Sequence, residues 1–314
     1  MTSLTATRDP SLAAPERTSL WLKIRRGAWG YVFVSPWVLL YLVFGLYPLA
    51  LSFFLTFFDY SFVTPENRAF VGVGNWVRGV SDPLYWKGLY NIVLNQAVFI
   101  VLKNGIGLLT AALLFRITWG ARIFRTIYFL PVITSTVVLM TIGDNLAGPG
   151  GPVQGWMMDI GLIDGPVFWK TYDTLPMIVI ALINTWKWFG ISMVILLAGM
   201  YGIDPRLYEA AAVDGARGWD MFRRITLPML RPQLFFLLVV DIINGLQMFT
   251  EVFSIGFNVY GGVNNQALTP VLYLYAQAFD RANVGYASTL GLLLAILIAA
   301  LTALQFRFVS SEAD

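Results

Sequence analysis

Two polar stripes stand out in a chain that is otherwise mostly hydrocarbon. Asp241, Asn244, Gln247 and Glu251 recur at intervals of three, three and four residues, which places them within one arc of a helix. Asn184, Lys187, Trp188 and Ser192 form a similar arc in the preceding apolar stretch. Amides and carboxylates hydrogen-bond to hydroxyls, and aromatic faces cover C–H surfaces. Such stripes suit a hydroxyl-rich ligand such as a sugar, with Trp186, Trp188, Phe249 and Tyr286 as candidate faces. Ordinary interhelical hydrogen bonding is the competing reading of each residue. Charge inside an apolar span is costly and marks a functional hypothesis by default. Lys187 and Asp241 lie at depths of roughly 20 and 15 Å from the outer ends of adjacent spans at 1.5 Å per residue. They are expected to pair, as a structural ion pair or beside a substrate. Lys103 has no obvious partner in the sequence, and it would snorkel or face a water-filled interior. A phosphate ligand would call for Lys or Arg in the pathway, an option that Lys103 and Lys187 keep open.

Composition narrows the chemistry. The chain has 314 residues, 57% hydrophobic and 12% charged, about half the charge of a soluble domain. It reads as an all-α polytopic membrane protein. Cys is absent, which excludes disulfides and thiolate chemistry, and His is absent, which removes the commonest general base and metal ligand. No catalytic residue, metal site or cofactor site is expected. The net charge is +3 and the basic residues cluster at span ends, so no nucleic-acid-binding stripe is formed. No G-x-x-x-x-G-K-[ST] occurs, so a nucleotide-binding P-loop is not expected.

A helix needs about 20 apolar residues to cross the hydrocarbon. Apolar stretches run through residues 27–58, 89–115, 126–146, 174–201, 229–250 and 282–306, which predicts six transmembrane helices. With the N-terminus inside, 14 Lys and Arg residues fall on the cytoplasmic side and 5 (Arg68, Arg78, Lys87, Lys170, Arg281) outside. Both termini are therefore expected in the cytoplasm. Residues 1–28 read as a cytoplasmic, disordered tail, 29–309 as the transmembrane domain and 310–314 as a second tail. The first span is too long for a signal-peptide core and is expected to be retained. The outer loops are too short for separate domains. Residues 153–160 suggest a short interfacial helix carrying Trp156.

One cytoplasmic segment, 204–228, is well organised and polar. Asp204-Pro205 reads as an N-cap followed by Pro at the first helical position. A helix should follow to Asp214 and break at Gly215, since Gly alone takes positive φ without penalty. A second short helix should run from Arg217 to Ile225 and end at Leu227-Pro228. Small Ala210, Ala211 and Ala212 permit close approach of another protein, and Glu209, Asp214, Arg217 and Arg223 offer charge to it. A solvated amphipathic connector is the plainer reading of the same pattern.

Glu209-Ala210-Ala211, Gly215 and the closing Ile225-Thr226-Leu227-Pro228 resemble the EAA signature of ABC importer permeases. Ser35-Pro36-Trp37, Tyr47-Pro48, Phe70-Val71-Gly72, Asn75-Trp76, Arg125 to Pro131, Trp186-Lys187, Ala198-Gly199 and Gly285-Tyr286-Ala287-Ser288 are similar to the maltose/glycerol-3-phosphate branch, over about residues 28–308. The resemblance implies the type I importer permease fold and makes 204–228 a coupling helix docked on an ATPase. Glu209, Ala210, Ala211, Asp214, Gly215, Arg217, Leu227 and Pro228 would carry that contact. It also implies a second homologous permease subunit, two ATP-binding subunits holding MgATP, and an extracytoplasmic solute-binding protein. A carbohydrate would cross the cytoplasmic membrane of a bacterium or archaeon by alternating access. The chain differs from the family at Tyr260-Gly261-Gly262-Val263, Thr250 and Ile142-Gly143-Asp144-Asn145, and it lacks a large outer insertion. Those changes touch the substrate and binding-protein contacts, leaving the transport mechanism intact. An ion-driven secondary transporter using Asp241 and Glu251, an intramembrane enzyme, and a permease for glycerol-3-phosphate or another non-sugar solute are the alternatives.

Overall fold

Proline placement explains how the first apolar helix is built. The computed structural model describes residues 28–66, 68–117 and 119–310, so nearly all of both expected tails lies outside the described residues. Helix α1 (Ala28–Tyr41) passes through a π-helical turn, Leu42–Leu46, into α2 (Tyr47–Leu55). Pro48 has no N–H to give, and the preceding Tyr47 N–H reaches back five residues to the Leu42 carbonyl. The chain divides into two compact units, one ending at Ser52 and the other beginning at Phe53.

The second unit opens with a two-residue antiparallel pair, β1 (Phe58–Asp59) with β2 (Ala69–Phe70), a small exception to the all-α expectation. Asn75, at the start of α3 (Gly74–Ser81), donates its amide to the Thr56 and Phe58 carbonyls at 2.9 and 3.0 Å and closes this corner. Helix α4 (Pro83–Arg116) starts six residues before the predicted apolar run, because Asp82 caps it and Pro83 takes the first helical position.

The third apolar stretch is two helices, α5 (Ala121–Ile133) and α6 (Thr136–Ala147), with α7 (Pro152–Asp159) after a Gly-rich turn. The limb Ala121–Ile133 meets the limb Thr136–Asp159, which includes α6 and α7, at 98°. Pro131 sits in the last turn of α5, and Thr134 and Ser135 are extended, so the helix cannot continue through them.

Helix α8 (Leu175–Tyr201) packs along much of α4. Glycine makes these approaches close. A Cβ on Gly107 of α4 would lie 2.5 Å from the Ser192 Cβ of α8, and one on Gly190 would lie 2.3 Å from the Tyr128 carbonyl oxygen of α5.

The polar segment follows as α9 (Pro205–Val213), α10 (Gly218–Met221), a π turn at Phe222–Thr226 and α11 (Leu227–Met229). The predicted stop at Leu227-Pro228 is therefore wrong. The π turn absorbs Pro228 as it does Pro48: Leu227 N–H reaches back to Phe222. The helical run breaks instead at buried Leu230, and α12 (Arg231–Leu246) continues beyond a bend of 58°. Then come α13 (Thr250–Ser254), α14 (Pro270–Tyr275) and α15 (Val284–Ser310).

Among the described residues four helices are long and apolar enough to span a membrane, and six spans result if each bent pair counts as one. Two apolar cores fill the second unit. One gathers Ile92, Met140, Ile180, Leu272 and Tyr286; the other gathers Ala111, Met193, Leu196, Leu230 and Leu237. Along α4, α8 and α12 a polar band separates the two cores.

Candidate functional site

That band borders a cavity of about 560 Å³ lined from α4, α8, α12 and α13. The α8 stripe contributes Asn184 and Trp188, and the later stripe contributes Asp241, Asn244, Gln247 and Glu251. The helix ends at Leu246, so Glu251 reaches the cavity from the separate short helix α13, where the prediction had one continuous arc. From α4 come Gln96 and Phe99, which the sequence does not single out, and Lys103, for which a water-filled interior was one of two expected settings. Trp188 and Phe249 are the aromatic candidates that line the cavity, joined by Phe236. Trp186 is half exposed and elsewhere; Tyr286 is fully buried and bonded to Asp82.

The expected Lys187–Asp241 pair does not form. Asp241 pairs with Lys103 through Oδ1, while its Oδ2 accepts from Asn104 Nδ2 at 3.0 Å. Asn104 Oδ1 in turn accepts from Ser192 Oγ at 2.7 Å, so Ser192 supports this network from behind the cavity wall. Both members of the ion pair are buried, and each charge is compensated by the other. Lys187 does not line the cavity; its ammonium lies 5.0 Å from the Trp188 ring centroid and donates to the Thr134 and Val132 carbonyls at the break between α5 and α6. Those carbonyls lost their intrahelical partners where the helix stops, and a cation suits the negative end of a helix dipole. Two buried amide oxygens of lining residues, Gln96 Oε1 and Asn184 Oδ1, have no hydrogen-bond partner within the chain.

The segment 204–228 is placed at the surface. Asp204 Oδ1 accepts from the Arg206 N–H at 2.9 Å and caps α9. Gly215 has φ +79°, and Ala216 N–H closes the helix end on the Ala211 carbonyl at 2.9 Å. Glu209, Ala210, Asp214, Gly215 and Arg217 are exposed, whereas Ala211, Leu227 and Pro228 are half-buried. Val213 and Trp219 are 89% and 70% exposed, two large apolar side chains beside the EAA residues that the sequence reading did not single out. Tyr208 Oη and Thr226 Oγ1, 2.9 Å apart, tie α9 to the π turn.

A further polar cluster went unpredicted. Asp82 Oδ1 caps α4 through Leu84 N–H, and its Oδ2 accepts from the Tyr273 and Tyr286 hydroxyls at 2.6 and 2.5 Å. Arg78 lies over the Tyr286 ring at 4.0 Å. Burial would raise the Asp82 carboxyl, but the tyrosine and backbone hydrogen bonds outweigh it and hold the group below the usual carboxylate range.

The family model described as binding-protein-dependent transport system inner membrane component matches residues 103–311. The chain belongs to this family. It is 33% identical over 280 residues to the lactose transport system permease protein LacF of Rhizobium radiobacter, covering 88% of this chain and 92% of the relative. It is 29% identical over 285 residues to the sn-glycerol-3-phosphate transport system permease protein UgpA of Agrobacterium fabrum (strain C58 / ATCC 33970), covering 90% and 94%. A chain of a crystallised bacterial ABC transporter involved in the import of the acidic polysaccharide alginate shares the fold, with TM-score 0.78 at 22% identity over 93% of this chain and 98% of that one. As a member of this family the chain is a membrane-spanning permease component of a binding-protein-dependent ABC transporter.

Proposed function

We propose that this chain is one of two permease subunits of an ATP-driven sugar importer. Six spans with both termini in the cytoplasm would form its half of a substrate path. The segment 204–228 would dock on an ATPase that binds and hydrolyses MgATP, and a solute-binding protein outside would deliver the sugar. ATP-driven closure of two ATPases would move the docked segments and tip the spans between inward- and outward-facing states. The sugar reading rests on the cavity. It is lined by Asn184, Asn244, Gln247 and Gln96 amides and Trp188, Phe249 and Phe99 rings, the chemistry that holds hydroxyls and C–H faces. Exposed Val213 and Trp219 support a protein contact at the polar segment.

The chain has no cysteine, so a Val213→Cys variant places a single thiol on this subunit for a thiol-to-amine cross-linker. In the purified complex it should cross-link to the ATPase, and sugar uptake into proteoliposomes should stop with vanadate. No cross-link together with vanadate-resistant uptake that follows a proton gradient would establish the secondary-transporter alternative instead.

A further inference from the structure

A cavity that accepts a phosphorylated or carboxylated sugar needs a cation free to meet it. Lys187 was one such candidate, but its ammonium is held by the Thr134 and Val132 carbonyls and the residue does not line the cavity. Lys103 does line it, yet its ammonium is spent on Asp241. No other Lys or Arg lines the cavity among the described residues. Glu251 adds a carboxylate that makes no direct ion-pair contact among those residues, its charge being coupled at longer range to Lys187. Two buried oxygens of the wall, Gln96 Oε1 and Asn184 Oδ1, have no partner within the chain, and as acceptors they suit hydroxyl donors.

We propose that this wall selects uncharged, hydroxyl-rich saccharides and turns away phosphorylated and carboxylated ones. The reading separates this chain by charge from the solutes named for UgpA and for the alginate transporter, and groups it with the neutral sugar named for LacF. It rests on the sugar-importer function proposed above. Glu251 is its specificity-determining residue, because reversing that one charge would give an anion a partner without disturbing the Lys103–Asp241 pair.

The test uses the complete importer in proteoliposomes, with each sugar loaded to saturation on the binding protein so that delivery does not set the result. The probes are a panel of neutral di- and trisaccharides, against glycerol-3-phosphate and digalacturonate. Neutral uptake without anion uptake is expected. Glu251→Lys should raise the anion-to-neutral ratio roughly tenfold, and Glu251→Gln by a smaller factor in the same direction. The Gln variant keeps the test open if the Lys variant does not assemble. Anion uptake by the wild type at a rate comparable to that of the neutral sugars, or a ratio unmoved in both variants, would overturn the inference and leave the importer standing. Vanadate-sensitive ATPase activity with uptake of neither class would instead overturn the sugar reading beneath it.

Discussion

Asp241→Asn tests the arrangement at the centre of the molecule. The substitution keeps an oxygen for Asn104 but removes the charge that compensates buried Lys103. Breaking a buried ion pair by losing one partner costs about 3–5 kcal/mol, while replacing both with apolar groups of similar volume is close to neutral. Lys103→Met combined with Asp241→Leu should therefore be more stable than Asp241→Asn alone, although Asn104 Nδ2 then loses its acceptor. The coupling between positions 103 and 241 should be about 3 kcal/mol in a double-mutant cycle. The same cycle between 187 and 241 should be additive to within about 0.5 kcal/mol, since those side chains share no partner. Unfolding of the purified complex by SDS in mixed micelles, followed by tryptophan fluorescence, measures both. A double variant no more stable than the single one, or coupling at 187 in place of 103, would refute this reasoning.

Gly190→Ala places a methyl 2.3 Å from the Tyr128 carbonyl oxygen, so α5 must move away from α8; a loss of about 1–3 kcal/mol in the same unfolding assay is expected, against almost none for Gly105→Ala, where nothing lies within 4 Å. Acid should expose the Asp82 cluster. Its folded-state pKa is below the unfolded value of about 3.9, so its stabilisation is present above that pH and is lost as pH falls through the folded value. Asp82→Asn keeps a capping side chain but removes this acid limb, so unfolding midpoints between pH 3 and 7 should flatten at the acid end relative to wild type; parallel curves would count against the cluster.

Local chemistry was readable where one residue type dictates one backbone state. Asp204-Pro205 and Gly215 set the ends of α9 as their residue types require, and the three-residue spacing brought Asp241, Asn244 and Gln247 to one cavity. What the sequence hid was choice among distant partners. Lys103 and Lys187 look alike as lone cations in apolar runs, and only the tertiary fold shows one facing a carboxylate 138 residues away and the other a broken helix end. The break itself was missed because the run 126–146 stays apolar across it; Pro131 was the available signal. The π turn before Pro48 lay hidden inside a run that reads as one continuous helix, and the one before Pro228 behind a Leu227-Pro228 pair that reads as a stop, when a shifted hydrogen bond can absorb a proline. Asp82-Pro83 carried the same capping signal as Asp204-Pro205, and went unread because the span was begun at its first apolar residue.

The run from Gly218 to Leu246 has one further consequence. Trp219 stands in the open at one end, Asp241 stands in the cavity wall near the other, and the bend at buried Leu230 joins them without an intervening loop. In the proposed importer it would work as a crank: a push on the outer arm would meet no loop to absorb it and would arrive at the wall as a turn. Seizing the elbow, with both arms left untouched, would be enough to stall the machine between strokes.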